Sequence, residues 1–363
     1  MKLQVTQTNL SRALNTVARI ANNRGSLPVL SNILFKTENN RLKLSATNLD
    51  IAISHFIGSK VESEGSITVP ARLTQEFVNF LPEGVVNLEL EANKLHIHTE
   101  KYNSVINGIN AEDFPVMPEV TTESVWKIPT SEFKKSLSKT VFAASGDDAR
   151  PILTGVYFNT KDSEVSVAAT DSYRLAEAKI TKAKSPVEFL LPANAATELL
   201  RIIEDSDKET TIAHDEQQVQ FTSGDVVLVA RLIEGTYPDY QKLIPAKFST
   251  IAKLSRAEFQ NITKVSALFA RESAGSVTLN FSKDQGQVSI NAVAAQLGEN
   301  TASAEAKVSA DGEVTLNSRY LIEALGAFEA DDIEFCFNGK LEPCVLRSPS
   351  QKDYLHLIMP LRS

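Results

Sequence analysis

The chain has 363 residues, of which 42% are hydrophobic and 23% charged, and its formal net charge is −8. This length predicts two or three domains that each bury a core of their own. The acidic balance disfavours a protein that coats nucleic acid with its whole surface, because such proteins are usually basic. It is still compatible with a local basic surface on an acidic body.

Two cysteines, Cys336 and Cys344, are too few for a disulfide scaffold or a cysteine-based zinc site and are typical of a reducing compartment. Apolar runs in the chain all fall short of the roughly 18 residues that a membrane span requires. The N-terminal sequence MKLQVTQTNLSRAL lacks the apolar core of a signal peptide. We therefore expect a soluble cytoplasmic protein that does not bind a membrane.

Three copies of one pattern follow one another at a spacing of about 125 residues. Each copy opens with a capped amphipathic helix, in the segments TNLSRALNTVARIANN, TSEFKKSLSKTVFAAS and SRAEFQNITKVSALFA. Alternating strands follow, beginning with VLSNILFK, ILTGVYFN and SVTLNFS, and then a second helix in TQEFVNFLP, AATELLRIIED and YLIEALGAFEA. The pattern predicts an α+β fold in which each copy packs two helices on one face of an antiparallel sheet.

Segments without periodicity separate the copies near residues 118–124 and 245–251. We therefore predict three domains, which span residues 1–120, 125–247 and 248–363. Because both connections are short, these domains are expected to be rigidly juxtaposed. Three domains of one architecture favour a repeated scaffold over a single grafted active site.

The sequence contains no motif for nucleotide binding, no zinc-protease motif and no nucleophile elbow. His96 and His98 alternate onto one strand face, but the sequence signals no third metal ligand beside them. Asp147 and Asp148 are neighbours in a loop, where carboxylates are more often turn residues than a catalytic pair. We therefore predict no catalytic residue, no metal and no cofactor.

The predicted helices share an excess of basic residues, whereas acidic residues concentrate in strands and turns. Arg12 and Arg19 are seven positions apart and Lys135 and Lys139 are four apart, so each pair shares a helix face. One interpretation is an ordinary solvated face; the other is a basic surface of equivalent helices that meets DNA phosphates without reading bases. The other basic residues of this set are Arg24, Arg72, Lys134, Arg201, Arg256, Lys264 and Arg319.

A series of short segments runs through the chain in a specific order. The series is MKLQV, LPVLSNILF, ATNLDIAI, VPAR and AEDFP in the first copy, ARPILTGVYF, ATDSYRLA, EGTYPDY and LIP in the second, and IMPLRS at the end. In this order and spacing the segments resemble the bacterial beta sliding clamp family, the processivity subunits of DNA polymerase III, over essentially the full chain. The resemblance implies three clamp domains per chain and a head-to-tail homodimer that closes into a ring with its helices lining the hole.

The resemblance also implies a non-catalytic function. A clamp encircles double-stranded DNA without sequence preference and tethers the catalytic subunit of the replicative polymerase, the clamp loader, other polymerases and repair proteins through short linear peptides. These peptides would bind between the second and third domains, with leucines and Met359 receiving apolar anchors and arginines fixing polar atoms. The matching positions are Arg150, Leu153, Thr170, Ser172, Tyr173, Arg174, Leu175, Pro238, Lys242, Leu243, Asn317, Tyr320, Ile358, Met359, Pro360, Leu361 and Arg362.

Two further surfaces carry over from the family. Arg24 and Arg72 match positions that approach DNA. Leu268 and Phe269 match the apolar contact between subunits, which we expect to face Ile106 and Ile109 of the segment NSVINGI. The chain departs from the usual family residues at Asp147, Ser172, Tyr173, Asn194 and Ser363, which puts individual DNA contacts and the selectivity of the pocket in doubt.

Two other classes of protein are alternatives to a clamp. An enzyme built on a repeated scaffold would need polar residues in one copy that converge in a pocket, and the pairs at 96/98 and 147/148 are poor candidates. A sequence-specific DNA-binding protein would need a recognition helix, which the sequence does not indicate. Retention on nicked circular DNA, but not on linear DNA, would distinguish a topological clamp from both.

Overall fold

The computed structural model describes residues 1–21, 27–116, 120, 125–161, 163–182, 186–296 and 298–362. Its elements repeat three times in one order: a strand, a helix, a group of strands, a second helix and three closing strands. The first repeat contains β1 (Lys2–Thr6), α1 (Gln7–Val17), β2 (Asn32–Glu38), β3 (Arg41–Thr47), β4 (Ile51–Gly58), β5 (Lys60–Ser63), β6 (Ser66–Pro70), α2 (Ala71–Phe80), β7 (Val85–Glu91), β8 (Lys94–His98) and β9 (Asn103–Asn107).

The second and third repeats follow the same order. The second contains β10 (Val125–Pro129), α3 (Thr130–Thr140), β11 (Gly155–Lys161), β12 (Glu164–Thr170), β13 (Arg174–Lys182), β14 (Glu188–Pro192), α4 (Ala193–Ile202), β15 (Glu209–His214), β16 (Gln218–Ser223) and β17 (Val226–Arg231). The third contains β18 (Thr250–Ser255), α5 (Arg256–Phe269), β19 (Ser276–Ser282), β20 (Gln287–Ala294), β21 (Gly298–Val308), β22 (Gly312–Asn317), α6 (Ser318–Ala327), β23 (Asp332–Phe337), β24 (Cys344–Arg347) and β25 (Tyr354–Ile358).

Local sequence explains where the helices begin. The Thr6 hydroxyl accepts a hydrogen bond from the Asn9 amide at 3.4 Å and caps α1. Ser255 caps α5 in the same way, through the amide of Glu258 at 3.5 Å. The segments predicted as strands from VLSNILFK and ILTGVYFN instead open with 3-10 helices, at Pro28–Ser31 and Pro151–Thr154. Proline at the first helical position explains the difference, because it fixes φ and needs no amide partner there.

The strands form three antiparallel sheets. Their orders are β5-β1-β7-β8-β9, then β10-β15-β16-β17-β4-β3-β2-β6, and finally β14-β11-β12-β13-β25-β24-β23-β18-β21-β20-β19-β22. The second and third sheets each cross a repeat boundary. β4 of the first repeat pairs with β17 of the second, and β13 of the second pairs with β25 of the third. These cross-boundary ladders were not predicted from the sequence.

By its internal contacts the chain divides into two compact units, Met1–Ser131 with Glu198–Leu232, and Glu132–Thr197 with Ile233–Ser363. In the first unit, α1 packs on α2 and on strands β3 and β4; in the second, α5 packs on α6 and on strands β20 and β21. The α+β prediction is therefore confirmed. Among the described helices, none is long and apolar enough to cross a membrane.

Candidate functional site

The turn between β12 and β13 is built by its own side chains. The Thr170 hydroxyl donates to the Arg174 carbonyl at 2.6 Å and accepts from the Ser172 amide at 3.1 Å. Asp171 accepts from the amides of Tyr173 and Arg174 at 2.9 and 3.0 Å. These bonds hold Ser172 at φ 79°, in the left-handed region that favours glycine. The turn is therefore a preformed edge of the predicted pocket.

Arg150 is attached to this turn. Its Nη1 donates to the Ser172 hydroxyl at 3.0 Å, and its Nε donates to Asp147 Oδ2 at 3.2 Å. The guanidinium is held in place yet partly exposed, at 42% of its side-chain surface. Asp147 and Ser172, two of the positions at which the chain departs from the usual family residues, thus both bond Arg150.

An apolar cluster lies beneath the turn. Leu153, Leu175 and Leu357 belong to it and are at most 9% exposed, and Met359 packs against its edge. The prediction that Ile358 lines the same cluster is wrong. Ile358 pairs directly with Arg174 across β25 and β13, so it shares the opposite sheet face, whereas Leu357 pairs with Leu175. Sequence reasoning missed Leu357, although alternation along β25 could have identified it.

Arg174 is buried, with 6% of its side chain exposed. Its Nε donates to Asp171 at 3.0 Å, its Nη2 donates to the Phe142 carbonyl at 2.6 Å, and its Nη1 donates to Glu323. The guanidinium also lies 5.4 Å from the ring centre of Phe142 and 4.6 Å from that of Tyr320. These bonds use three of the five N–H donors of the guanidinium, so Arg174 is first of all a structural residue of the site, and a contact of its remaining donors with a bound peptide stays a prediction.

The third repeat supplies the other side of the site. Asn317 caps α6, accepting from the Arg319 amide at 2.9 Å, and its side-chain amide donates to the Ala274 carbonyl at 3.2 Å. Burial raises the pKa of Tyr320, and the negative charge of Asp171 adds to this effect. Asn317 thus lies at the start of α6, and Tyr320 lies against Arg174 of the turn.

The C-terminal tail joins the two sides. The Met359 amide donates to the Tyr173 carbonyl, and the Leu361 amide donates to the Thr315 carbonyl, both at 2.8 Å. Pro360 is half-buried between them. Seven predicted positions are exposed: Arg150 and Ser172, which bond each other, and five that we call the rim, Tyr173, Pro238, Lys242, Leu243 and Arg362.

The rim is mixed in character. Tyr173 and Leu243 expose 58% and 50% of their surface, so they are apolar groups available to a ligand. Lys242 is exposed and paired with Asp239 at 3.0 Å. The arrangement is a buried apolar floor below exposed aromatic, aliphatic and cationic groups, which suits a peptide with apolar anchors. It contains no nucleophile and base pair among the residues described.

The helix cations that suggested a basic lining are largely paired. Arg12 lies 3.8 Å from Glu204, Arg72 lies 2.9 Å from Glu76, and Lys135 lies 2.5 Å from Glu329. A cleft of about 440 Å³ beside α1 is lined by Arg12, Arg19 and Arg201, but also by Glu83 and Glu204. Arg24 lies outside the described residues, as does Ser363. The helix surfaces described are thus mixed rather than strongly basic.

The predicted subunit contact is only partly available. Leu268 is 53% exposed on α5 and Phe269 is half-buried, so both can meet a partner. Ile106 is 5% exposed and belongs to the core; its neighbour Val105 is 52% exposed on the outer face of β9. The burial of Ile106 thus contradicts its predicted contact with a partner, and the alternation of the strand exposes Val105 instead. Ile109 is half-buried, and its backbone pairs with Thr68.

The residues weighed for enzyme chemistry do not converge. His96 lies 3.6 Å from Glu91, its partner on the same hairpin. Asp147 is engaged by Arg150, as described above. In the part of the chain that the structure describes, no three His, Cys, Asp or Glu side chains are grouped as metal ligands. Cys336 and Cys344 are buried free thiols.

Comparison with known proteins gives one result along the whole chain. Family models of the DNA polymerase III beta subunit match residues 1–118 as its N-terminal domain, 127–239 as its central domain and 241–362 as its C-terminal domain. The chain is 29% identical over 381 residues to the beta sliding clamp of Bacillus subtilis, covering 100% of both. It is 31% identical over 374 residues to that of Synechococcus elongatus, covering 100% of this chain and 99% of the relative.

Solved structures agree. The sliding clamp of Bacillus subtilis superposes with a TM-score of 0.96 at 28% identity, covering 100% of this chain and 99% of that one. The beta chain of Streptococcus pneumoniae gives a TM-score of 0.95 at 27% identity, with 100% of both covered. The family predicted from sequence is confirmed. The chain belongs to the DNA polymerase III beta subunit family, the bacterial DNA sliding clamps, which are non-catalytic processivity factors.

Proposed function

We propose that two copies of this chain associate head to tail into a closed ring around duplex DNA, with the helices lining the hole. The ring tethers the replicative polymerase, the clamp loader and other replication and repair proteins through short peptides. Within each chain we assign domains to residues 1–120, 125–247 and 248–363. We place the protein in the cytoplasm, where its two buried thiols remain reduced.

The observation that carries the ring is a strand pairing used twice. β4 pairs with β17 from Ile51 opposite Ala230 onward, and β13 pairs with β25 from Arg174 opposite Ile358 onward. A matching backbone bond ends each ladder: Arg231 donates to Asp50 at 2.9 Å, and Met359 donates to Tyr173 at 2.8 Å. Each junction thus joins two repeats. The third of the strands between the two helices of one repeat pairs with the last strand of the next repeat.

One strand of each of these two kinds has no partner from another repeat within the chain. β21 is the counterpart of β4 and β13, and β9 is the counterpart of β17 and β25. Within the described residues, 299–305 of β21 pair with β20 alone, and β9 pairs with β8 alone in its sheet. Two complementary free edges at opposite ends of the repeat series support a heterologous contact between copies, which closes when the rotation permits.

Helices at the same junctions support the same assembly. Arg12 on α1 faces Glu204 just beyond α4, and Lys135 on α3 faces Glu329 just beyond α6. The leftover helices, α5 and α2, carry exposed apolar side chains in the equivalent role. These are Val265 and Leu268 on α5, 40% and 53% exposed, and Leu73 and Phe80 on α2, 56% and 86% exposed.

The proposed surfaces give a consistent mechanism. Because a ring is held on DNA by its topology, direct phosphate contacts can stay few, and the paired cations of the helices suit sliding. We assign Arg24 and Arg72 to the DNA contact. The pocket around Leu153, Leu175 and Met359 then keeps a bound polymerase near the primer end, which raises its effective concentration there.

The test is retention on DNA after loading. The protein is placed by a clamp loader on nicked circular DNA, and its release is followed after the circle is cut. Slow loss from the circle and rapid loss from the linear product are expected. Equal retention on both forms would contradict a topological link and would favour direct binding instead.

A further inference from the structure

We propose that Glu323, which is outside the set of predicted pocket residues, is a positioning residue that fixes the two sides of the peptide pocket relative to each other. The inference rests on the proposed function of that pocket. It concerns the link between the turn at 170–174 of the second repeat and helix α6 of the third. Both lie in the same compact unit of the chain.

The link is a chain of charged hydrogen bonds. Asp171 holds the turn through two backbone amides and also binds the Nε of Arg174 at 3.0 Å. Arg174 then reaches across to Glu323 on α6 through its Nη1. Glu323 also accepts from the Nε of Arg319, one helical turn away, at 2.9 Å. The turn is thereby tied to the helix whose first residues border the site.

Because Arg174 is buried, its position depends on the charge of the Glu323 carboxylate. Arg174 is 6% exposed, and its charge is balanced by Asp171 and Glu323. Burial by itself would raise the pKa of Glu323, but hydrogen bonds from Arg319 and Arg174 outweigh it and hold the pKa below the usual range. Without the Glu323 charge, the buried guanidinium lacks half of its neutralisation and has to move toward water.

A shift of Arg174 would change the pocket itself. The Arg174 guanidinium is packed against the ring of Tyr320 at 4.6 Å. Arg174 is followed in the chain by Leu175, which belongs to the apolar floor. The carbonyl of Tyr173, one residue earlier, holds the tail through Met359. Loss of Glu323 therefore displaces the rim and the tail together, although Glu323 itself need not touch the peptide.

The chain offers a matched control in Glu329. This carboxylate also joins the second repeat to the third and also bridges two cations, Lys135 at 2.5 Å and Lys139 at 3.3 Å. Burial would raise its pKa as well, and the two lysines lower it. The turn at 170–174 makes no contact with Glu329 among the bonds described. Removal of either carboxylate charge weakens the contact between the second and third repeats. Only the removal of Glu323 should also act on the pocket.

The experiment compares Glu323→Gln with Glu329→Gln in the full chain. Affinity is measured by fluorescence anisotropy with a labelled peptide that carries a glutamine and a Leu-Phe pair, and thermal unfolding is followed in parallel. We expect Glu323→Gln to weaken binding at least fivefold and Glu329→Gln to leave it within twofold, with comparable losses of Tm. Equal affinities in the two variants, whether both lowered or both unchanged, would overturn the inference.

A double-mutant cycle tests the route of the effect. In an Arg174→Lys background, Glu323→Gln should add less than a twofold loss, because the guanidinium that joins Asp171 to Glu323 is already gone. An undiminished loss in that background would show that Glu323 does not act through Arg174. Glu323→Asp provides a milder variant if the amide fails to fold. Its shorter side chain should not reach Arg174 and Arg319 together, so it should weaken binding at least twofold, and an unchanged affinity would count against the proposal. Wild-type protein that fails to bind the peptide would instead refute the pocket itself.

Discussion

Leu49 and Ser172 occupy equivalent turns of the first two repeats and share a left-handed backbone, with φ of 80° and 79°. In the first turn, Thr47 accepts from the Leu49 amide and Asn48 accepts from the next two amides, as Thr170 and Asp171 do in the second. The same bonds thus impose a glycine-like conformation on two different side chains. Only the serine gains a partner from it, in Arg150.

The conformation of Leu49 predicts a stabilising substitution. Leu49→Gly should raise the free energy of unfolding by about 1 kcal/mol, because glycine adopts positive φ without a steric penalty and the leucine is 52% exposed. Urea unfolding measures the change. Leu341→Gly is the control, since Leu341 is 64% exposed without a positive φ, and it should not stabilise. A loss of stability in Leu49→Gly would show that the side chain is held by contacts of its own.

The proposed subunit contact predicts a folded monomer. Replacing Leu268 and Phe269 with glutamate should abolish the dimer, since burying each such side chain contributes roughly 1.5–3 kcal/mol. Phe80→Glu should act in the same direction from the other side of the contact. Sedimentation measures the mass, and circular dichroism checks the fold. A double variant that stays dimeric would refute this contact.

The two faces of β9 give a finer test of the proposed subunit contact. Val105→Glu should also yield a folded monomer, because Val105 points outward from β9. Ile106→Glu should unfold the first compact unit instead, because it places a charge in the core. The opposite pattern would restore the assignment made from sequence.

The inner surface predicts a separable defect. Replacing Arg24 and Arg72 with alanine should reduce loading on DNA and leave dimerisation and peptide binding unchanged, since Arg72 is 85% exposed and bonds only Glu76 in the described structure. Loading is scored by gel filtration of clamp on nicked plasmid. A loss of peptide affinity in this variant would mean that the two surfaces are misassigned.

The tail predicts the strongest loss of peptide binding. Deleting Met359–Ser363 removes the two backbone bonds to Tyr173 and Thr315 together with the Met359 side chain. Peptide binding should fall from an expected micromolar range to below detection, while the dimer persists because the tail is outside the proposed contact. Titration of the labelled peptide against both proteins measures the difference, and equal affinity would contradict the pocket.

Two buried histidines predict acid sensitivity. Burial lowers the pKa of His55 to about 4, with Arg12 adding to the effect, and burial lowers that of His356 to about 3. An unfolded histidine titrates near pH 6.5. The unfolded chain therefore binds more protons below pH 6.5, and the free energy of unfolding falls as the pH decreases toward 4. His55 alone accounts for about 3 kcal/mol over its window.

Urea unfolding between pH 7 and pH 5 measures this slope. A His55→Gln variant should lose less stability over the interval than the wild type, and a His98→Gln control, on the half-exposed face of β8, should lose as much as the wild type. A His55→Gln slope equal to that of the wild type would show that His55 is not held neutral in the folded chain.

Local signals in the sequence determined most of the elements. Capping residues such as Ser255 and the alternation of the strands predicted three repeats of helices and strands, because these patterns depend on near neighbours. The cap of α1 is Thr6, two residues before the start predicted at Thr8. The ladders between repeats were not predicted, since β4 and β17 lie far apart in the chain. The partner of Arg174 was missed for the same reason: Glu323 is 149 residues away and no local pattern connects them.

Errors of a single residue had a different cause. Ile358 and Ile106 were chosen for their type and place in a motif, whereas their neighbours Leu357 and Val105 occupy the required face. In a strand, a shift by one position moves every side chain to the other face of the sheet. A motif match therefore identifies the segment but not which of its residues face the site. Attention to alternation would have corrected both from the sequence.

The repeats and the compact units of this chain are out of phase by half a repeat, since the second repeat is divided between the two units. The division follows the ladders β4–β17 and β13–β25, each of which joins one repeat to the next. A single repeat taken alone would therefore expose both kinds of strand edge. A cut between repeats separates the strands of a ladder, whereas both ladders stay whole inside the compact units, so the unit that repeats in sequence is not the unit that holds together in space.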